Sequence, residues 1–311
     1  MGTVIGCDIS KERIDVQVLS AAARRRAQLA NREGAIGRWV GQLPAGCCVG
    51  MEATGTLHEP LARALFEGGH TVYVLNPRWV YAYRRALGLR GKTDQVDAAV
   101  IARYIDAEAK NLHAYQPPSP EQAELRRLLL RRLELKKLMG ATRQSLGAQA
   151  RSVLEQFGVL LREIELRIAA LIAANAEWRA LAQRLRSIPG VGPIVSAHLV
   201  QVLTRISFGS AQAFIAHTGT DPRPNDSGQK QGRRRLTHHG DVGLRHMLFL
   251  AAMAASKLPE WRALYEHHRN KSLPSTAVFI VLARKLARIA FHLFKTGEIY
   301  DPTRLGGAQP A

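Results

Sequence analysis

The sequence predicts a mixed α/β layer followed by an all-helical region, and three observations predict it. Short apolar runs alternate with helical patterns through the first 112 residues. Residues 119–186 then run almost without proline and are rich in Leu, Arg, Glu, Ala and Gln. From residue 187 onward the helical patterns are shorter and are broken by glycine, proline and polar residues. Alternation of strand and helix signals builds an α/β layer, whereas long helical periodicity builds bundles. With 311 residues the length favours more than one domain. The expected division is 1–112, 113–186 and 187–311.

The first part can be justified element by element. TVIGCD is a short apolar run ending on Asp8, IDVQVLS has period-two character, and RRRAQLA suits an edge strand. Together they read as an antiparallel meander. Residues 34–43 are weakly helical and are closed by Pro44 and Gly46. CCVGME is a buried strand ending on Glu52. Residues 57–68 read as a helix stopped by Gly68-Gly69, and HTVYVLN as a strand stopped by Asn76-Pro77. Helical patterns follow at about 78–87 and 95–109, separated by the loop GLRGKTD, which carries Lys92. The order β-β-β-α-β-α-β-α is that of a ribonuclease H-like layer.

Pro117, Pro118 and Pro120 mark the next boundary. Beyond them Leu125, Leu128, Leu129, Leu133 and Leu135 recur at roughly helical spacing, among acids and many arginines. A helical coiled-coil hairpin with a basic outer face fits this pattern, and so does a plain helical linker. The third part begins at SIPGVGPIVSAHLV. Gly190 and Gly192 lie between helical segments, as in a helix-hairpin-helix-like element, where glycines let backbone amides approach a phosphate. Residues 212–217 read as a short helix, 218–240 as an exposed polar loop, and 241–256 and 275–296 as amphipathic helices. The tail after Thr303 should fray.

Charge narrows the function classes. The chain holds 44 Lys+Arg against 25 Asp+Glu, a formal +19, which points to a polyanionic partner such as nucleic acid. Residues 1–110 carry 15 basic and 11 acidic side chains, while residues 187–311 carry 16 and 7. The first part thus keeps its acids and the rest is phosphate-binding in character. Cys7, Cys47 and Cys48 form no disulfide framework and no zinc pattern, so free thiols in the bacterial cytoplasm, near the nucleoid, are expected. No apolar run is long enough to span a membrane, and no signal peptide is evident.

Four acids stand where chemistry would need them. Asp8 and Glu52 each end a strand-like run, so neighbouring strands would bring both to one sheet edge. Asp94 and Asp97, spaced i, i+3 at a helix start, share a face. Four hard oxygen ligands repel one another unless cations sit between them. With two Mg²⁺ (or Mn²⁺) ions they make a site for in-line phosphoryl displacement. Taken singly, each acid has a plainer reading: Asp94 as a helix cap, Asp8 as a turn residue, Glu52 as an arginine partner. Asp15 and Asp106 are assigned to the surface.

GCDISKERIDV, GMEATGTLHEPLARAL and VLNPRWVYAYRRALGLRGKTDQVDAAVIARY resemble the DEDD domain of the IS one-ten transposase family. LRSIPGVGPIVSAHLV, the loop with Ser227-Gly228, the GxxxLR element at Gly240 to Arg245, and ARKLARIAFHLFKTGEIYDP resemble its C-terminal domain. The match covers nearly the whole chain, although Asp226 stands where the family usually has glutamine. The resemblance implies a composite site: Asp8, Glu52, Asp94 and Asp97 hold metal, and Ser227 attacks a DNA phosphodiester. From residues alone, Asn-Asp-Ser-Gly is good turn chemistry and Ser227 a loop serine. Lys230, Arg233, Arg234 and Arg235 follow it and either clamp the phosphate or form a solvated basic loop. The resemblance further implies donor and target DNA duplexes, a structured noncoding guide RNA (a bridge RNA), and a homo-oligomer, dimer or tetramer. The alternatives are an invertase of the same family, a metal-dependent junction-resolving nuclease without a covalent intermediate, and a noncatalytic nucleic-acid-binding protein.

Overall fold

The meander forms as its alternation predicts: β1 (Val4–Ile9), β2 (Arg13–Leu19) and β3 (Arg24–Ala30) pair antiparallel in sequence order. The computed structural model describes residues 2–20, 24–53, 55–89, 94–223, 226–227, 230–231, 235–237 and 240–305. After the meander come α1 (Glu33–Val40), β4 (Cys48–Glu52), α2 (Glu59–Glu67), β5 (Thr71–Leu75), α3 (Pro77–Ala86) and α4 (Asp94–Glu108). β4 pairs parallel with β1, and β5 parallel with β4, giving the order β3-β2-β1-β4-β5. This mixed sheet is the ribonuclease H-like layer expected from the element order.

Helices cover both faces of the sheet. Ile5, Cys7, Ile9, Ile14, Val16, Val49 and Met51 bury one face against Ile36 and Val40 of α1 and Leu61, Ala62 and Leu65 of α2. On the other face Val100, Ile101 and Ile105 of α4 and Val80 of α3 pack with Tyr73 and Leu75. Strand side chains alternate, so residues 5, 7 and 9 serve one layer and 6 and 8 the other. Cys7 and Cys47 are buried free thiols, and burial, aided by the Asp8 charge, pushes the Cys7 thiol far above its ordinary range.

The described residues form two compact units, Met1–Pro117 and Pro118–Ala311. The second is helical. Ser119 starts α5 (Pro120–Leu146) with a capping box: its hydroxyl accepts from Gln122 N at 3.2 Å, and Gln122 Oε1 accepts from Ser119 N at 3.1 Å. A 3-10 turn at Gly147–Ala150 leads into α6 (Arg151–Ala174), so 119–186 is a helical hairpin followed by α7 (Ala176–Arg186). Then come α8 (Pro193–Arg205) and α9 (Ala211–Thr218), and finally α10 (Val242–Ala255), α11 (Pro259–Asn270) and α12 (Ser275–Thr296). One core joins Leu125, Leu128 and Leu129 of α5 and Ile168 of α6 to the helices from α7 to α12.

Two expectations for this unit need correction. Residues 218–240 are not wholly loop: β6 (Pro222–Arg223) pairs antiparallel with β9 (Arg235–Leu236), and β7 (Asp226–Ser227) with β8 (Lys230–Gln231). Two-residue strands leave too little periodicity to be read. Helix α11 was not expected at all. Its sequence PEWRALYEHHRN is mostly polar, and Trp261 is its one fully buried residue. Pro259 at the first turn is the start signal that was available.

Candidate active site and nucleic-acid interface

Asp8 and Glu52 arrive side by side. Cys7 is the parallel partner of Met51, so the next residues, Asp8 and Glu52, stand adjacent at the C-terminal ends of β1 and β4. Both are half-buried and face the α4 layer, as Gly6 and Gly50 do. Those glycines let α4 lie on the sheet. A Cβ at Gly6 would stand 2.1 Å from Ala98 O and 2.4 Å from Ala102 N, and one at Gly50 2.3 Å from Ile105 Cγ1. Ile101 and Ile105 share a cluster with Val4 and Cys48, at the beginnings of β1 and β4. The N-terminal turn of α4, with Asp94 and Asp97, therefore points toward the strand ends that carry Asp8 and Glu52.

Asp15 belongs to this face too. It is the direct cross-strand partner of Asp8 and only 6% exposed, so its assignment to the surface is corrected. Gln28 Nε2 donates to Asp15 Oδ1 at 2.8 Å, and Arg13 Nε lies 3.6 Å from its other oxygen. These partners offset the like charge opposite. The signal was the hairpin: a turn at residues 10–13 places 15 opposite 8. Asp106 is exposed, as expected.

Asp97 is held by a cation. Arg84 Nη1 donates to Asp97 Oδ1 at 3.1 Å, with both side chains 13% exposed. For Asp94 the backbone alone is described, in the first turn of α4. Among the described residues no three His, Cys, Asp or Glu side chains gather closely enough to hold a metal ion. The donor chemistry nonetheless fits a hard divalent cation, because Asp8 and Glu52 present carboxylate oxygens from adjacent strand ends. Asp97, the described acid of α4 at this edge, is on Arg84 instead.

The described residues at the base of the basic loop are tied together by hydrogen bonds. Thr218 donates to Ile215 O at 2.6 Å and shares a hydrogen bond of 2.7 Å with Thr220, both buried. Thr237 Oγ1 donates to Asp221 Oδ1 at 2.6 Å. Gly240 closes the base: a Cβ there would meet His217 O at 1.9 Å. Beyond this base β6 pairs with β9, and β7 pairs with β8, where Ser227 and Lys230 are direct partners. Lys92, Arg233, Arg234, His238 and His239 lie outside the described residues. For Ser227, Lys230 and Arg235 the backbone course alone is described.

The Gly190 turn has a structural cause. Gly190 has φ 82°, and a Cβ would stand 2.3 Å from Ala251 O of α10. Its missing side chain is thus required by helix packing. Gly192 caps α8 with open space about it.

A second cationic group lies in the run ARKLARIAFHLFKTGEIYDP, which the sequence singles out only as part of the family resemblance and not as a phosphate site. Arg284, Lys285 and Arg288 lie along α12, and burial together with the Arg288 charge depresses both Arg284 and Lys285. Asp221 partly offsets this at Arg284, whose Nε is buried without a hydrogen-bond partner. His268 of α11 is likewise depressed, first by burial and then by His267, Lys271 and Lys285. Like charges crowded together in this way repel one another, and an anion beside them would relieve that repulsion. No helix among the described residues is long and apolar enough to cross a membrane.

Residues 5–158 match a transposase family, the DEDD transposases of IS110, and residues 182–266 match the transposase IS116/IS110/IS902 family. The chain is 30% identical to a pilin gene-inverting protein of Moraxella bovis, covering 81% of each chain. It is 28% identical to a probable family 20 transposase of Pseudomonas aeruginosa, covering 96% of this chain and 98% of that one. To the transposase of insertion sequence element IS1328 from Yersinia enterocolitica it is 25% identical, covering 82% and 86%. Among solved structures it is similar to Thermus thermophilus RuvC in complex with a Holliday junction substrate. That likeness has 19% identity and a TM-score of 0.27, over 37% of this chain and 98% of that one.

Proposed function

The chain belongs to the IS110 family of DEDD transposases, and on that premise we propose that it cuts and rejoins DNA through a serine nucleophile assisted by an acidic metal centre. The observation that carries the reading is the juxtaposition of Asp8 and Glu52 at parallel strand ends, with the first turn of α4 brought to the same edge. Asp8, Glu52, Asp94 and Asp97 would hold Mg²⁺ or Mn²⁺. When bound, such ions supply charge neutralisation at the attacking and leaving oxygens. Ser227 Oγ forms a bond to phosphorus, one bond from phosphorus to a deoxyribose oxygen breaks, and that oxygen leaves as a hydroxyl with the proton the serine gives up. The phosphodiester energy is kept in the serine ester, so a second strand can be joined without an outside energy source.

The remaining residues suit handling of nucleic acid. Lys230, the register partner of Ser227, with Arg233, Arg234 and Arg235, would grip phosphates around the attacked bond. Lys92 would do so beside the acids. The helix-hairpin-helix-like turn of Gly190 and Gly192 would set backbone amides at the start of α8 against the DNA backbone. The surplus charge would also serve a structured guide RNA that pairs with donor and target duplexes. The hairpin of α5 and α6 leaves Leu130, Leu138, Leu146, Leu160 and Leu166 exposed, which suits a coiled-coil arm in a dimer or tetramer. We keep the functional division into a catalytic part (1–112), an arm (113–186) and a serine-bearing part (187–311).

Denaturing gels of the protein with its flanking noncoding RNA and both DNA partners test this. Wild type should give a covalent protein–DNA adduct that Ser227→Ala abolishes, and Asp8→Asn should lose both adduct and nicking. Nicked products with no adduct would identify a resolving nuclease instead. The Moraxella bovis relative favours a second reading, inversion of a DNA segment; recombination confined to inverted sites within one molecule would establish it.

A further inference from the structure

Asp97 is a carboxylate with little exposure to water, and Arg84 of α3 is paired with it. The pair is built by both helices. Arg84 lies in the last turn of α3 and Asp97 in the first turn of α4, where the helix ends favour a cation and an anion respectively. Helix α3 is held firmly. Asn76 accepts from Arg78 N at 3.0 Å, Val80 is buried, and the ring of Tyr83 lies 4.8 Å from that of Tyr104 on α4. The guanidinium thus reaches Asp97 from a helix that packs on α4 through Tyr83 and Tyr104.

We propose that Arg84 is a place-holding cation, which occupies Asp97 in the metal-free protein and releases it when a divalent ion binds at Asp8 and Glu52. This rests on the reading of those acids as a metal site. A carboxylate this little exposed has lost much of its hydration, and the Arg84 guanidinium at 3.1 Å stands in for it. In the sheet register Asp8 has Glu52 on one neighbouring strand and Asp15 on the other, so an unpaired Asp97 at this edge would add repulsion. A divalent ion at the same carboxylate repels the guanidinium, so one cation replaces the other. Metal binding therefore spends part of its free energy breaking the Arg84–Asp97 pair, and the metal-free edge folds without strong repulsion. A plain structural clasp differs in one respect: it would hold Asp97 in place for the metal, and its loss would weaken binding.

Mn²⁺ binding by calorimetry on the full chain, with melting curves run without and with Mn²⁺, separates the two. Arg84→Gln should bind Mn²⁺ about 5-fold or more tightly than wild type, a coupling of ordinary size. It should melt lower than wild type without metal and recover most of the difference with it. Unchanged or weaker Mn²⁺ affinity in Arg84→Gln overturns the place-holder. Should Arg84→Gln not fold, Arg84→Lys, which keeps the charge but loses the planar fork, should bind Mn²⁺ more tightly than wild type by a smaller factor, and the same opposite result overturns the idea. Asp8→Asn is the control. If it binds Mn²⁺ as wild type does, the metal-site reading fails and the place-holder with it. If it loses binding while Arg84→Gln gains none, the place-holder alone fails.

Discussion

Gly6 shows how a residue with no side chain shapes the acidic edge. The atoms that an added Cβ would strike at Gly6 are the backbone oxygen of Ala98 and the backbone nitrogen of Ala102, which cannot rotate away. Gly6→Ala must therefore push α4 off β1, at a cost of about 3 kcal/mol or more, read as a lower urea midpoint. Because Asp97 sits one residue before Ala98, the same displacement should lower DNA nicking beyond what the fraction folded explains. Stability within about 0.5 kcal/mol of wild type would show that α4 does not rest on Gly6. At this scale legibility in the sequence was uneven. Asp8 and Glu52 stand out because each ends an apolar run, a local property. Gly6, Asp15 and Arg84 have meaning only through partners that lie 92, 7 and 13 positions away, at Ala98, Asp8 and Asp97. The tight turn at residues 10–13 marks the pairing of Asp15 with Asp8, but no local pattern marks the other two.

At the scale of elements, the packing of α8 with α10 and α5 sets a pH dependence. His198 of α8 is 5% exposed, its Cε1 lies 3.4 Å from the Cβ position of Gly243 on α10, and its Nε2 has no hydrogen-bond partner. Burial lowers its pKa from 6.5 to about 4. Asp241 at the start of α10 opposes the shift, while Arg132 of α5 and His246 of α10 add to it. A lowered histidine leaves the folded state holding fewer protons than the unfolded chain between those two values. Its contribution is fully present above pH 6.5, is lost as pH falls toward 4, and is flat below. The loss amounts to about 3 kcal/mol, and His217, also lowered by burial, acts in the same direction. Urea unfolding from pH 7.5 to 4 should show this slope, and His198→Gln should remove most of it. An unchanged slope in that variant would place the titrating group elsewhere. Elements with a distinct apolar run or a long proline-free stretch, such as β1 and α5, are legible in the sequence. Helix α11 and the strands β6 to β9 are not, because one buried tryptophan or two residues per strand make no such pattern.

The whole molecule divides its charge unevenly. Residues 1–110 carry 15 basic and 11 acidic side chains, and those after 110 carry 29 and 14, so the surplus lies in the helical unit. That unit also holds the crowded cations Arg284 and Lys285. A surface of this kind binds the phosphate backbone by releasing counterions, which makes affinity fall steeply with salt and depend little on divalent metal. The acidic edge of the first unit should behave in the opposite way, with chemistry lost on chelation. Binding to a random-sequence duplex, followed by fluorescence anisotropy, should therefore weaken by roughly 10³-fold between 50 and 200 mM salt if six or more phosphates are engaged. EDTA should leave that binding nearly intact while abolishing nicking. Arg284→Gln with Lys285→Gln should reduce the salt slope by about two phosphate contacts and should leave Mn²⁺ binding at wild-type strength. A slope unchanged by that double substitution would mean that Arg284 and Lys285 do not engage the nucleic acid, and the surplus charge would then have to act through other basic residues of the helical unit.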